Sequence, residues 1–230
     1  MIGIMLNRSI WAPLFFAVTL AACSHATRGT LPTSPRPNGS DQAHAAAIAK
    51  ARADSARYPY TAADVHFMSA MIGHHAQAIA IAAWAPTHDA SPSIRILAER
   101  IINAQQDEIA TMQQWLRARR QPVPEASARG MKMMMDGVEH VMPMPGMLTE
   151  DQLKQLDQAK GKEFDRLFLT LMIQHHRGAV SMVSDLFSSY GAGLDETVFK
   201  FASDVNVDQV TEIDRMQKML AALTLGIQLP

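Results

Sequence analysis

Apolar side chains recur at three- and four-residue spacing along four segments of the chain, which is typical of the buried face of an α-helix. In the first segment this spacing runs from Phe67 through Met71 and Ala78 to Ala82. No stretch alternates between apolar and polar residues with a period of two, so strands are not expected. The other three segments are Ser93 to about Arg117, Phe164 to Phe187, and Asp195 to about Leu223.

Capping signals mark where helices begin. Thr61 with Asp64, and Thr149 with Gln152, have the three-residue spacing of a capping box. The second pair predicts a short additional helix that stops near Gly161. The predicted fold is all-α, an antiparallel four-helix bundle built from two helical hairpins.

The helical pattern is duplicated within the chain. Residues 64–79 align without a gap with residues 165–180, and residues 105–116 align with residues 209–220. A unit of two segments that occurs twice indicates a duplicated hairpin. The predicted bundle covers residues 58–223, with repeat 1 at about 61–118, a Met-rich linker at 119–148 and repeat 2 at about 162–223.

The N-terminus has the pattern of an export signal. Arg8 precedes an apolar run, Ile10 to Leu20, which is too short to span a bilayer as a helix. Leu20-Ala21-Ala22-Cys23 resembles the bacterial lipobox, in which the signal is cleaved before a cysteine that carries lipid. Residues 1–22 are therefore predicted to be a lipoprotein signal peptide, with membrane attachment at Cys23 on the periplasmic side. The alternatives are an ordinary signal peptide with a chance cysteine, or a buried free thiol.

The residues after Cys23 and the net charge indicate where the protein is located and which partners are excluded. Ser24 follows the cysteine where an Asp would retain a lipoprotein at the inner membrane, so the outer membrane is expected. Residues 23–57 lack a core-forming pattern and predict a flexible tether with a weak Ala-rich helix. The 21 basic and 22 acidic residues leave a net charge of −1 without a basic block, so nucleic acid is not an expected partner.

The duplicated motif resembles a known family. Asp-x-x-Phe-x-x-x-Met-Ile-x-His-His-x-x-Ala is followed in each copy by Gln-x-x-Glu-Ile-x-x-Met, and Met-Pro-Gly-Met-Leu-Thr occupies residues 144–149. This combination is similar to domain-of-unknown-function family 305, over roughly Tyr60 to Leu223. The resemblance implies a ferritin-like bundle, usually exported, with copper binding or copper resistance in some members.

The two His-His pairs are the main candidates for chemistry. His74-His75 and His175-His176 occupy matched positions, each within one helical turn of Met71 or Met172. Neutral imidazoles with a thioether form a donor set that suits copper, and Met favours Cu(I). We expect the pairs near mid-height of the helices, with at least one imidazole of each pair facing inward. The alternative is that they are core histidines hydrogen-bonded to Gln or Glu of a neighbouring helix.

Polar residues of the second helix in each repeat are expected near the His pairs. Glu108 and Glu212, with Gln105 and Gln209, are candidate ligands or acceptors that fix the His tautomer. The alternative is that each Glu is an exposed or lightly paired carboxylate. The repeated aspartates, Asp64 and Asp165, precede the second His by roughly 16 Å along the helix and are not expected to share its site.

The linker concentrates thioethers. Seven methionines, Met131 to Met147, lie there with His140, among glycines and prolines. This stretch predicts either a soft-ligand tract for copper or a hydrophobic strap over the bundle. The candidate ligands are His74, His75, His175, His176, Met71, Met172, Glu108, Glu212, Met112 and Met216. The supporting or loop candidates are Gln105, Gln209, Asp64, Asp165, Met133, Met134, Met135, His140, Met142, Met144 and Met147.

These patterns favour an exported lipoprotein that binds copper for sequestration, resistance or delivery, rather than an enzyme. A ferritin-like redox enzyme with iron or manganese is less favoured, since no Glu is followed three residues later by His. A structural or interaction module without metal is the third alternative.

Overall fold

The structure is a computed structural model that describes residues 60–135, 138–142 and 144–227, together with residues 44, 46, 49 and 50. Those four separate residues are helical and lie within the predicted Ala-rich helix. The predicted signal peptide, Cys23 and most of the tether lie outside the described residues.

Between residues 60 and 227, the described part of the chain contains five α-helices, one short 3-10 helix (Ala85–Thr87) and one β-hairpin. The first long helix begins directly after the predicted cap Thr61 and ends at Ala82, and the other three begin and end within three residues of the predicted segments. Among the residues that the structure describes, no helix combines the length and apolar character needed to cross a membrane. The elements are α1 (Ala62–Ala82), α2 (Pro92–Ala118), β1 (Met131–Met135), β2 (Val138–Met142), α3 (Glu150–Gln158), α4 (Gly161–Ser188) and α5 (Glu196–Thr224).

Side chains bond to the free backbone N–H groups at three helix starts. Thr61 and Asp64 form the predicted capping box of α1, and Thr149 and Gln152 form that of α3. Asp195 accepts hydrogen bonds from the first turn of α5. These contacts satisfy N–H groups that have no partner within the helix, which fixes each start at the residue indicated by the sequence.

The long helices pack as two antiparallel hairpins. α1 packs on α2, α4 packs on α5, and α1 also packs on α4. At one end, Tyr60 before α1 stacks edge-on against Trp115 near the end of α2, with ring centroids 5.4 Å apart. There, Trp115 and Arg119 both donate hydrogen bonds to Asp195, which joins α2 to the start of α5.

The repeated aspartates hold each hairpin to the turn of the other. Asp64 at the start of α1 accepts a 2.7 Å hydrogen bond from the backbone N–H of Gly193, between α4 and α5. Asp165 at the start of α4 accepts one of 3.1 Å from the N–H of Ser91, between α1 and α2. Their repetition therefore has a structural cause, and these bonds lie at opposite ends of the α1–α4 pair.

A polar layer divides the apolar core into two clusters. One cluster contains the α1 residues from Ala78 onward, and the other contains those up to Ile72. The two His-His pairs, Gln105 with Glu108, and Gln209 with Glu212 lie between the clusters on their respective helices. The layer is therefore at mid-height, as predicted for the histidines.

The hairpin corrects the expectation that the chain has no strands. β1 and β2 pair antiparallel, with Met131 opposite Met142 and Met135 opposite Val138. Periodicity failed here because β1 carries four methionines in five positions, which hides any alternation. The overlooked signal is Asp136-Gly137 between two runs of five residues, a dipeptide typical of two-residue hairpin turns.

Candidate metal centre

All four paired histidines are fully buried. The expectation that at least one of each pair faces inward is therefore confirmed, and both members of each pair are enclosed. His74 of α1 and His175 of α4 face each other across the helix interface, with ring centroids 3.8 Å apart. The structure thus brings the two copies of the motif together.

His74 is held in one tautomer by the linker. Its Nε2 lies 3.0 Å from the backbone carbonyl oxygen of Pro145. A carbonyl can only accept, so the proton is on Nε2 and the lone pair of the neutral ring is on Nδ1. That Nδ1 is buried and has no hydrogen-bond partner among the described residues.

The carboxylates of Glu108 and Glu212, called the inner carboxylates below, each contact one histidine of their own hairpin. His176 Nε2 donates a 2.7 Å hydrogen bond to Glu212 of α5. His75 Nε2 lies 2.8 Å from Glu108 of α2, but the two groups lack the alignment of a hydrogen bond. These carboxylates are 17% and 20% exposed, so they link the enclosed rings to the surface.

Burial keeps the two facing imidazoles neutral. The pKa of His74 is lowered to about 3, mainly by burial and also by the neighbouring charges of His75 and His176, while the hydrogen bond to the Pro145 carbonyl opposes the shift. Burial likewise holds the pKa of His175 well below its usual value, assisted by His74. Neutral imidazoles retain a lone pair at neutral pH, which is the form that binds metal.

The layer contains many polar atoms without partners. Both amide atoms of Gln105, the amide oxygen of Gln209 and both ring nitrogens of His175 are buried without a hydrogen bond in the described part of the chain. Native proteins rarely leave such groups unpaired, because each costs about 1–3 kcal/mol. Their concentration in one layer makes it the candidate binding site.

Thioethers flank this layer on both sides. Met71 and Met112 belong to one apolar cluster, and Met172 and Met216 to the other. All four are fully buried. Met71 and Met172 each precede a His pair by one helical turn, and Met112 and Met216 each follow the glutamate of their helix by four residues. Thioethers are soft donors, which suit copper.

The linker passes directly over the His pairs. Met144 is buried beside Gly73 of α1, and the Pro145 carbonyl lies against Gly178 of α4, where a Cβ atom would be only 1.9 Å away. Gln77 of α1 fixes the other side of the crossing, since its amide exchanges hydrogen bonds with the backbone of Leu148.

The contact surface of the linker on α1 and α4 was not predicted from the sequence, although a difference between the two repeats indicated it. Gly73 and Gln77 of α1 align with Gln174 and Gly178 of α4, so glycine and glutamine exchange places between the copies. Gln174 donates to the Gly146 carbonyl, as Gln77 does to that of Leu148. The two positions at which the copies differ reciprocally are thus those that receive the linker.

The other candidates are placed less closely. Met147 is half-buried and packs against the Met71 cluster. Asp64 and Asp165 bind backbone N–H groups near the helix ends and are not brought together with the histidines. The backbones of Met133, Met134, Met135, His140 and Met142 lie in the hairpin, and their side chains are outside the described part.

The donor set limits which metals the layer fits. In the described ranges, no three or more His, Cys, Asp or Glu side chains converge in a metal-binding arrangement. A centre here therefore depends on imidazoles together with thioethers, a combination of soft and intermediate donors.

The comparisons with known proteins agree with the duplicated motif. A DUF305 protein from Streptomyces coelicolor is 28% identical, with a TM-score of 0.57 over 73% of this chain and 96% of that one. A DUF305 fragment from Deinococcus radiodurans is also 28% identical, with a TM-score of 0.58 over 70% and 97% of the two chains. CopM in its Cu(II)-bound form is 29% identical, with a TM-score of 0.53 over 69% and 95%.

No curated protein matches the chain. The sequence profile of DUF305, a domain of unknown function, matches residues 64–220, which is most of the chain. That range contains both His-His pairs, both inner carboxylates and the linker crossing. The protein therefore belongs to the DUF305 family.

Proposed function

We propose that this protein is an exported copper-binding protein that holds the metal in the polar layer of an antiparallel, ferritin-like four-helix bundle. Its role would be copper sequestration, resistance or delivery. The observation that carries the proposal is the enclosed set of histidines whose Nδ1 atoms have no hydrogen-bond partner among the described residues.

The arrangement around these rings is typical of metal ligands. A ligating histidine usually donates its other N–H to a carbonyl or carboxylate, which fixes the ring and its tautomer. His74 does so to Pro145, and His176 does so to Glu212. Their Nδ1 lone pairs are thereby reserved for another partner, and a cation is the partner that two neutral imidazoles share best.

Copper is the metal that this donor set favours. Imidazole binds Cu(I) and Cu(II), while buried thioethers such as Met71 and Met172 favour Cu(I). CopM, which this chain resembles, has been solved in Cu(I)-, Cu(II)- and silver-bound forms. Iron and manganese centres in helical bundles use several converging carboxylates, whereas here Glu108 and Glu212 each meet a single histidine.

The linker extends the donor set and completes the enclosure. Met144 is buried at the crossing, next to His74 through Pro145. We include the hairpin methionines Met133, Met134, Met135 and Met142, together with Met147, as secondary copper donors. Thioethers suit copper binding outside the cytoplasm, because they cannot pair into disulfides as thiols do in an oxidising compartment.

The test replaces imidazoles and thioethers separately. His75→Ala with His176→Ala should lower copper stoichiometry while the protein stays helical, since both rings belong to the proposed centre. Changing Met133, Met134, Met135, Met142, Met144 and Met147 to Leu keeps the apolar bulk and removes the thioethers, so Cu(I) affinity should fall selectively. Titration calorimetry with Cu(I), with melting curves for each variant, measures both effects.

The alternatives give different results in the same experiment. If the linker is only a hydrophobic strap, the Leu variant binds copper like the wild type. If the histidines are only core residues, their removal lowers the melting temperature and leaves weak copper binding unchanged. Unchanged Cu(I) affinity in both variants would refute the proposed function.

The proposed location is the periplasmic face of the outer membrane, with a lipid on Cys23. A DUF305 relative from Streptomyces coelicolor is described as a secreted protein, which supports export. Cys23→Ser should leave the protein exported but shift it from the membrane fraction to the soluble fraction. Fractionation followed by immunoblotting measures this shift, and a wild type that never enters the membrane fraction contradicts the lipid anchor.

A further inference from the structure

The turn between α4 and α5 carries a patch of exposed apolar side chains, called the turn patch below. Tyr190 and Leu194 lie in the turn itself and are 71% and 50% exposed. Phe187 near the end of α4 and Phe199 near the start of α5 are also exposed, and their ring centroids are 5.8 Å apart. Large apolar side chains that cluster on a surface indicate contact with another segment or molecule.

The opposite end of the bundle shows how the equivalent turn is covered. There α3, which precedes the second hairpin, packs over the turn between α1 and α2. Leu156 of α3 is fully buried in the same cluster as Ala90 of that turn. His88 Nε2 lies 2.9 Å from the Asp157 carbonyl oxygen, and the His88 carbonyl accepts a 2.9 Å hydrogen bond from the N–H of Gly161. The segment before the second hairpin therefore covers the turn of the first.

The duplication allows the two turns to be compared position by position. The alignment of residues 105–116 with residues 209–220, continued towards the start of each helix, pairs Ala90 with Leu194 and Arg95 with Phe199. Ala90 is 4% exposed in the covered turn, whereas Leu194 is half exposed. The second hairpin thus has the larger apolar side chains at both positions, yet the elements described from residue 60 onward leave them exposed.

The segment that precedes the first hairpin already contacts the turn patch. Lys50 Nζ lies 5.5 Å from the centroid of the Tyr190 ring, which is a cation–π contact. The described residues of this segment, at positions 44, 46, 49 and 50, are helical. Pro59 separates the segment from α1, because the residue before a proline disfavours the helical conformation. The segment therefore precedes α1 as α3 precedes α4.

We propose that residues 41–57 form a helix that docks on the turn patch, as α3 docks on the turn between α1 and α2. Ile48 is the one large apolar residue of this range, and it would pack on Leu194 and Phe199 as Leu156 of α3 packs on Ala90. The docking depends neither on copper nor on the lipid. Its consequence is that the free tether spans residues 24–40 instead of continuing to the start of α1.

Hydrogen–deuterium exchange of residues 41–57 tests the docking, in the full chain with Cys23→Ser as the background. Leu194→Ser with Phe199→Ser should speed exchange in this range by roughly tenfold or more, because the docking surface loses its apolar groups. The melting temperature should change little, since both side chains are about half exposed. Ile96→Ser is the matched control, because Ile96 is as exposed as Phe199, at 55% against 56%, but lies near the start of α2.

A cysteine pair identifies what occupies the turn patch. In the same background, Lys50→Cys with Tyr190→Cys should form a disulfide within one chain under mild oxidation, which mass spectrometry of the monomer detects. The proposal is overturned if the patch variant exchanges like its background, or if Ile96→Ser speeds exchange equally. A disulfide between two chains would assign the patch to a second copy, and slow exchange only with phospholipid vesicles would assign it to a membrane surface. Either result also overturns the proposal.

Discussion

Gly178→Ala is expected to lift the linker off α4 and to weaken copper binding roughly ten- to a hundredfold. A Cβ atom at this position would lie 1.9 Å from the Pro145 carbonyl oxygen and 2.7 Å from Gly146 Cα. Both are backbone atoms, so no side-chain rotation relieves the clash and the linker itself has to move. His74 Nε2 then loses the Pro145 acceptor that fixes its tautomer, and Met144 leaves its buried position.

The same change should destabilise the metal-free protein despite a better helix former. Within a helix, alanine stabilises the folded state by about 1 kcal/mol relative to glycine. The buried His74 N–H without an acceptor and the displaced linker together destabilise it by about 2–4 kcal/mol. The net loss of about 1–3 kcal/mol should lower the melting temperature by roughly 2–12 °C. Thermal melts and Cu(I) titration of the purified variant measure the two effects.

Gly73→Ala is the matched control, because it makes the same substitution on the other side of the crossing. Its Cβ would lie 3.3 Å from the Met144 methyl carbon, the flexible end of a side chain. This variant should therefore remain close to the wild type in both measurements. If Gly178→Ala also keeps the melting temperature and the copper affinity of the wild type, the linker crossing plays no part in the centre.

Local signals were enough to predict the helices and the depth of the histidines. The Thr61–Asp64 and Thr149–Gln152 boxes act within one turn, so sequence spacing alone specifies them. The His pairs interrupt the apolar pattern near the middle of α1 and α4, and the layer is found there. Both observations depend on neighbours along the chain rather than on tertiary packing.

Contacts between the two hairpins could not be predicted in this way. The bond from Ser91 to Asp165 spans 74 residues and depends on how α1 packs on α4. Adjacent helical residues point about 100° apart, so the sequence alone predicted an inward position for only one histidine of each pair. The linker closes over His74 and α2 covers His75, which buries both.

The largest test of the layer is a substitution that should stabilise the metal-free protein. His175→Leu removes an imidazole that is fully buried and makes no hydrogen bond among the described residues. Leaving such a group unpaired costs about 1–3 kcal/mol, and leucine fills a similar volume without polar atoms. We expect a gain of about 1–2 kcal/mol, or roughly 2–8 °C in melting temperature.

With copper present, the wild type should be more stable than His175→Leu, because a ligand that binds only the folded state stabilises that state. At a free copper concentration a thousand times the dissociation constant, the wild type gains about 4 kcal/mol, while His175→Leu should gain little. His88→Leu is the control, since His88 is a buried histidine whose ring bonds to the backbone carbonyls of Trp84 and Asp157. Its loss should destabilise the protein by about 1–3 kcal/mol with or without copper. Melting curves in chelator and in Cu(I) compare all three proteins. If His175→Leu lowers metal-free stability as His88→Leu does, the layer is a structural element and the metal centre is wrong.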